Sequence, residues 1–559
     1  MYVRPRLRVR PRNGGILAFS PASLFTSGVQ GAWYDPSDYS TLFQDSAGTT
    51  PVTAVEQPVG LMLDKSQGLV LGSELITNGD FSGGSTGWST VVTGGNAITI
   101  SGGSVRFQTT GADTASLTQA NVTAAGKWYR VEFDVLPGST GNLKVTPFGG
   151  ATGEIIFSCS PGRKVFNSFV VSATTFIISR VVGSVADATI DNISVKELPG
   201  NHASQATTAS RPVLRARYNL LTYSQDYSNA AWQANAGTIS ANLPSAPDGT
   251  STANLYTANA GLGYHYTNRS SAPVQTGTYT IAYSVKKGTS SWIFLTLVDS
   301  SINYFNFDTG TFGTTPDTCT ATPTNNGWWR LTITKTITSQ NVACGVGVAN
   351  GNGGANFTAV GTESVYVWGA DQRTGSSAGT YQRIAAATDY ATAGFAPYLA
   401  FDGVDDFLGA AYVQSAYPLT ITAGVDNTIG VVGTGIASVA QSDSSYKQLR
   451  DDATSVTASQ DRNASTINPT VILVTGSKFC LSQFETSLVT HQVNGGTATT
   501  IANTNAFGTS ANIFVGKTRP AGLFSSARDY GVVITNTVLT AAEKDSLKNY
   551  MGGKMGVTL

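Results

Sequence analysis

Residues 127–139 read KWYRVEFDVLPGS, in which Tyr129, Val131, Phe133 and Val135 alternate with Arg130, Glu132 and Asp134. Successive side chains of a strand point to opposite faces, so this stretch predicts a strand with an apolar face on a core and a charged face in water. Residues 277–290, GTYTIAYSVKKGTS, repeat the pattern with Tyr279, Ile281, Tyr283 and Val285, and Gly138 and Gly288 follow at the same offset. The recurrence 150 residues later (Tyr129 to Tyr279) predicts a duplicated module, at a period far longer than that of a solenoid.

Working outward, 559 residues at about 150 per domain leave room for three or four domains. Charged residues are 12% of the chain, against about 25% in ordinary globular proteins. With 61 glycines that composition suits all-β domains. The 34 basic and 34 acidic side chains cancel, which argues against a chain-wide electrostatic partner such as nucleic acid or an anionic membrane. Hydrophobic content of 41% and aromatic content of 10% can supply cores. Cys159, Cys319, Cys344 and Cys480 lie far apart without a CxxC pair, so they read as buried thiols rather than zinc ligands or a disulfide framework. No apolar run approaches 18 residues, and the basic N-terminus lacks a following apolar segment, so neither a membrane insertion nor a signal peptide is expected.

The organisation that follows is all-β: an extended N-terminal arm and collar, then three β-sandwich domains and one short C-terminal helix. The arm, 1–15, places Arg4, Arg6, Arg8, Arg10 and Arg12 on one side of an extended chain, either as a basic tail or as a segment that docks on a neighbouring subunit. The collar, 16–73, carries Trp33, Tyr34 and Phe43 beside Pro36 and is too short to cover them, so a partner surface is expected. The first sandwich, 74–200, opens with ELITNGDFSGGSTGW and closes with ATIDNISVKEL. The second, 218–385, opens with NLLTYSQDYSNAAWQ and closes with VYVWGADQRTG. The third, 396–559, opens with YLAFDGVDDFLGA and contains HQVNGGTATTIA, a hairpin signal. In VLTAAEKDSLKNYMGGKMG, Thr540 and Glu543 predict a capping box, Ala541, Leu547 and Tyr550 share a face, and Gly552–Gly553 are expected to stop the helix.

The collar, SPASLF…GVQGAWYDPSD…LFQDSAGTTPVTAVEQPVGLMLDKS, resembles a segment near the N-terminus of tailed-bacteriophage virion proteins of the tail-fibre or structural kind. The first two blocks resemble carbohydrate-binding-module jelly rolls, the second more closely the phage head-spike or fibre domain, and the third resembles concanavalin A-like and laminin-G-like sandwiches. Such jelly rolls pair an opening NGDFE-like strand with a closing DNVSL-like one and often hold a structural calcium there. That makes Asn78, Asp80 and Asp191 candidate oxygen ligands; no other cofactor is implied. Asp402, Asp405 and Asp406 read as turn formers beside a glycine.

Together these resemblances imply a virion-surface protein made in the bacterial host cytoplasm, a receptor-binding adhesin attached through its N-terminus, homotrimeric like related fibres. Its partners would be other virion proteins, of tail, baseplate or capsid, and a host surface glycan. The alternatives are a head-decoration spike and, from another class, a glycan-modifying enzyme. Candidate glycan contacts are aromatic, because a sugar ring stacks on an indole or phenol: Trp232, Trp292, Trp328, Tyr398, Tyr412 and Tyr446, with Phe407 beside them. Trp88, Trp128, Trp329 and Trp368 are further tryptophans whose facing the sequence leaves open. Virion attachment falls to the five arginines with Trp33 and Tyr34, and the C-terminal sandwich, farthest along the chain, is the expected tip. No catalytic residue is expected. His202, His265 and His491 form no HExxH or HxH pair, and the GxSxG matches around Ser85 and Ser377 lie in Gly/Ser-rich turns with no following helix.

Overall fold

The computed structural model describes residues 19–559 apart from 27, 148–153, 172–173, 217, 271–276, 298–300, 338–342, 375, 387–394, 428–433, 453–455, 464, 468–469 and 473–475. The basic arm lies outside the described residues. The chain is nearly all β, in antiparallel sheets that face each other in pairs, with one α-helix among the described residues.

The strand Lys127–Val135 is an inner strand of a five-stranded sheet, between Gly162–Val170 and Ala186–Glu197. Tyr129, Val131, Phe133 and Val135 are buried in one core with Leu117, Val145 and Ile178 of the opposing five-stranded sheet. The strand Gly277–Lys287 holds the corresponding place in the second module, between Trp328–Ile337 and Ser364–Thr374, and its alternate residues are buried as well. The glycines that end the two strands serve different needs. Gly138 adopts φ of +87°, open to glycine without steric cost; a Cβ on Gly288 would lie 2.5 Å from the Ser364 carbonyl oxygen. Opening and closing segments pair in both modules, through Leu75 N–H to Val195 O (3.0 Å) in the first and Leu220 N–H to Gln372 O (2.8 Å) in the second.

The third sandwich draws strands from the whole chain. Its eight-stranded sheet contains Val213–Arg215, Tyr398–Ala400, Arg528–Thr535 and Leu419–Asn427, with Gly31–Tyr34 paired onto Arg528–Thr535. Its ten-stranded sheet contains Leu42–Phe43, Leu61–Met62, Ala203–Ser204 and Leu408–Gln414. Between the sheets Tyr34, Leu42, Met62, Ala203 and Leu214 share one core with Ile421, Val439, Ile513 and Val532. The first module therefore leaves and re-enters this sandwich between Leu61–Met62 and Ala203–Ser204, which pair with each other, and the second between Val213–Arg215 and Tyr398–Ala400, which also pair.

This nesting corrects the collar. The partner surface is supplied by the chain itself: Trp33 and Tyr34 are buried against the C-terminal half, and Phe43 against Trp128 and Leu198 of the first module. Buried Asp64 fastens the segment by accepting from the backbone N–H groups of Trp33 (2.8 Å), Ser66 (2.8 Å) and Asn201 (2.7 Å). The C-terminal sandwich is thus not a free distal tip, because the collar and the connector between modules are strands of it.

The helix Ala541–Met555 has the expected capping box: Thr540 N–H donates to Glu543 Oε2 (2.7 Å) and Glu543 N–H to Thr540 Oγ1 (3.3 Å). It runs through Gly552 and Gly553 and stops at Gly556 in the left-handed conformation. The face turned inward is Leu547, Met551, Gly552 and Met555, while Ala541 is exposed. The VNGG hairpin is present, with Asn494 and Gly495 both at positive φ.

Candidate functional site: an uncharged aromatic sheet face

The second module's other sheet has seven strands, among them Gln233–Asn235, Gly261–Ser270, Ala343–Ala349, Trp292–Leu297, Ile302–Asn306 and Asn356–Ala359. Ile293, Leu295, Phe305, Val346 and Val348 of these strands face the core. The intervening residues must face away, and the registers trace them in rows. One row is Asn235, Tyr266, Gly347, Phe294 and Tyr304; a second is Gln233, Asn268, Gly345, Thr296 and Ile302. A third is Ala349, Trp292, Asn306 and Thr311, and beside them Tyr264 pairs with Asn356 and Leu262 with Thr358.

The centre of this face is low because its middle strand presents Gly345, Gly347 and Ala349. A Cβ on Gly347 would lie 2.6 Å from Phe294 Cε1 and 2.5 Å from Tyr266 Cβ. The glycine therefore lets the Phe294 ring settle against the sheet. Phe294 and Tyr304 are buried as a floor. Around that floor stand Tyr264, at 6.5 Å and edge-on to Phe294, and Tyr266 at 6.0 Å. Tyr264 is 47% exposed, and Tyr266 and Trp292 keep part of their surface in solvent. Amides surround the rings, with Asn235 Nδ2 donating to Asn268 Oδ1 at 2.7 Å. Rings that offer a face with amides beside them can stack the C–H surface of a sugar and hydrogen-bond its hydroxyls. The matching face of the first module, traced through Ile156, Lys144, Ser179 and Ser116, bears no aromatic residue among the described residues and holds a Lys144–Glu154 ion pair at 2.6 Å.

Of the six aromatic residues expected to contact glycan, only Trp292 lies on this face. Trp232 is buried and stacked on Tyr227 at 4.2 Å, and Trp328 is buried with its Nε1–H on the Ser245 carbonyl oxygen. Tyr398, Tyr412 and Tyr446 are buried in the third sandwich, Tyr412 donating to Gln414 Oε1. These five are corrected to core residues, because strand aromatics of a sandwich fill the space between and behind its sheets. Trp88, Trp128 and Trp368 are buried too, and Trp329 packs against Phe305. Trp33 and Tyr34, expected to contact the virion, are core residues as well. Tyr264 and Tyr266 were missed; the signal was GLGYHYTN facing ACGVGVAN, with aromatics and glycines in the same alternation.

The calcium candidates are engaged locally. Asn78 Oδ1 accepts from Gly83 N–H and its Nδ2 donates to Gly84 and Thr86 carbonyls, Asp80 accepts from Ser82, and Asp191 accepts from Asn192 N–H. Asp402, Asp405 and Asp406 do bring their carboxylates within 4.8 Å of one another. Asp402 Oδ1 accepts three backbone N–H groups, from Val404, Asp405 and Asp406, as a turn former does. Burial and the neighbouring Asp402 push the Asp406 carboxyl up to about 6.

All three histidines are buried. Burial pulls His202 down to about 3 and His491 down to about 4, so both stay neutral across the physiological range. Ser85 lies in an exposed turn and Ser377 in an exposed irregular segment. Burial raises the thiols, Cys159 and Cys344 to about 11 and half-buried Cys319 to about 12. No helix among the described residues is long and apolar enough to cross a membrane.

No protein-family model and no curated protein matches the chain. Solved structures that resemble it include the tandem CBM22 domains of Paenibacillus barcinonensis Xyn10C, at 12% identity and TM-score 0.24, covering 54% of this chain and 98% of that one. Mouse laminin α1 domains LG4-5 are similar at 12% identity and TM-score 0.19, covering 55% and 92%. Trypanosoma rangeli sialidase is similar at 11% identity and TM-score 0.23, covering 84% and 85%. At such scores the likenesses carry no argument about ligand or activity.

Proposed function

We propose that this protein is a non-enzymatic adhesin on the virion surface of a tailed phage, binding host-surface glycan on the outward face of the second module's seven-stranded sheet. The observation that carries the glycan reading is the meeting of Tyr264, Tyr266 and Trp292 with amide side chains on one exposed sheet face. The virion reading is supported by the collar's resemblance to phage virion proteins. Because Trp33 and Tyr34 are core residues, attachment falls to the arm with Arg4, Arg6, Arg8, Arg10 and Arg12. A single shallow face gives weak affinity, which trimerisation on the particle would raise through avidity.

The test is adsorption of the purified full-length protein to host cells, with competition against the phage. Tyr264→Ala is expected to reduce adsorption without changing the melting profile. Unchanged adsorption would contradict the reading, and release of sugar products from host polysaccharide would favour the enzyme instead. Removing residues 1–15 is expected to leave the fold intact and abolish incorporation into the particle; normal incorporation would remove the arm's role.

A further inference from the structure

We infer that the ligand of this face is an internal stretch of a neutral polysaccharide, an inference that rests on the glycan-binding reading above. Among the described residues turned outward on the seven-stranded sheet there is no Asp, Glu, Lys or Arg: the rows consist of amides, threonines, small residues and rings. The module carries few charges altogether, 14 among residues 218–385, and those described fall on its core, its other sheet or its loops rather than on this face. Among the described residues, two charged side chains near the ends of these strands are already engaged. Asp308 pairs with Lys287 at 2.5 Å, and the Glu363 carboxylate accepts the backbone N–H groups of Val360, Gly361 and Thr362.

A carboxylated or sialylated sugar brought onto such a face would surrender water around its charge and find no cation in return. A neutral sugar exchanges hydroxyl–water bonds for hydroxyl–amide bonds and covers ring surface at the same time. The ordered path of six strands spans about 24 Å at ~4.8 Å per strand, wide enough for several sugar units. The low middle strand runs between the strands that carry Tyr266 and Trp292, with Gly347 flanked by Tyr266 and Phe294, Gly345 by Asn268 and Thr296, and Ala349 beside Trp292, so ladder strands rather than a closed pocket stand on either side. A site of this form accepts a chain passing through rather than a terminal residue held end-on.

The experiment is affinity electrophoresis of the full-length protein through gels containing a neutral polysaccharide (a galactan or a mixed-linkage glucan) or an acidic one (alginate or polygalacturonate), at low and at high salt. Retardation by a neutral polymer is expected, insensitive to salt, and reduced at least tenfold by Tyr264→Ala and by Trp292→Ala. The Tyr264 side chain is half exposed, so Tyr264→Ala is expected to keep the wild-type melting profile, and that profile is the folding control. Retardation only by acidic polymers, lost in the same two variants, would overturn the neutral-ligand inference and leave the face as the binding site. Retardation that neither variant alters would overturn the reading of the face itself. Binding of the free reducing-end or non-reducing-end disaccharide as tightly as the polymer would overturn the internal-stretch part.

Discussion

Asp35 tests the nesting of the chain at one side chain. Its carboxylate is buried and accepts from Lys554 Nζ (3.0 Å), Lys65 Nζ (3.2 Å) and Tyr550 O–H (3.1 Å), while Lys65 also lies over the Trp33 ring at 4.4 Å. The N-terminal segment is thereby tied to the C-terminal helix across more than 500 residues. Asp35→Ala removes the group that joins Lys65 to Lys554 and leaves them only Asp38 (2.6 Å) and Ser37, so the loss falls below that of a wholly buried pair, at about 2–3 kcal/mol for hydrogen bonds to a charged group. That loss falls first on docking of the helix, so hydrogen exchange in peptides spanning 541–555 should accelerate on the order of a hundredfold. Burial by itself would raise this carboxyl, but the Ser37 hydrogen bond and the Lys554 and Lys65 charges outweigh it and hold the pKa below the ordinary carboxylate range. The stability it supplies is therefore present above that range and fades as pH falls through the lowered value, so wild type and variant should converge in acid. Unchanged exchange in the helix at neutral pH, or acceleration spread equally over both inserted modules, would refute the reasoning.

Asp529 is fully buried with Oδ2 unpartnered, and burial raises its carboxyl to about 7. Its ionisation opposes folding as pH rises from about 4 to 7, by up to about 4 kcal/mol. Asp529→Asn should raise the melting temperature of the third sandwich at pH 8 and not at pH 4.5, and parallel pH profiles would show that the carboxyl is otherwise satisfied. Deleting residues 1–70 removes Gly31–Tyr34, Leu42–Phe43 and Leu61–Met62 from both sheets, so the remainder and the fragment 391–559 should each lack the cooperative transition of the third sandwich in calorimetry. Gly347→Ala drives a methyl group into the His265 carbonyl oxygen, Tyr266 Cβ and the Phe294 ring; overpacking of this kind costs about 1–3 kcal/mol, and retardation by neutral polysaccharide should fall with it. Thr540→Ala removes the helix cap and should lower stability by about 1 kcal/mol, measured by denaturant titration.

What the sequence carried most clearly was alternation over short range. The facing of Tyr129 to Val135 and of Tyr279 to Val285 needs only the period of two, and the Thr540–Glu543 box and the VNGG turn need only four residues each. Gly31–Tyr34, in contrast, finds its partner in Arg528–Thr535, and nothing within the collar encodes which distant edge will complete it. The same limit hid the nesting of the two modules. Trp232 and Trp328 look like Trp292 in sequence, because an aromatic residue in a strand is marked by its alternation and not by whether another layer lies beyond its face. The outward site was legible only by reading two strands together, GLGYHYTN and ACGVGVAN, where rings on one strand stand over glycines on the next. Helix termination was misplaced because glycine permits a left-handed cap without compelling one: Gly552 and Gly553 stay helical and Gly556 takes the cap.

Hydroxyl-radical footprinting of the full-length protein with and without a neutral host polysaccharide locates the binding face, since it reports side-chain exposure across all three sandwiches at once. Protection is expected at Tyr264, Tyr266 and Trp292, with the rings of the third sandwich unchanged. Protection elsewhere, at Phe407 or on the first module, with Tyr264 as reactive as in the free protein, would contradict this placement of the site.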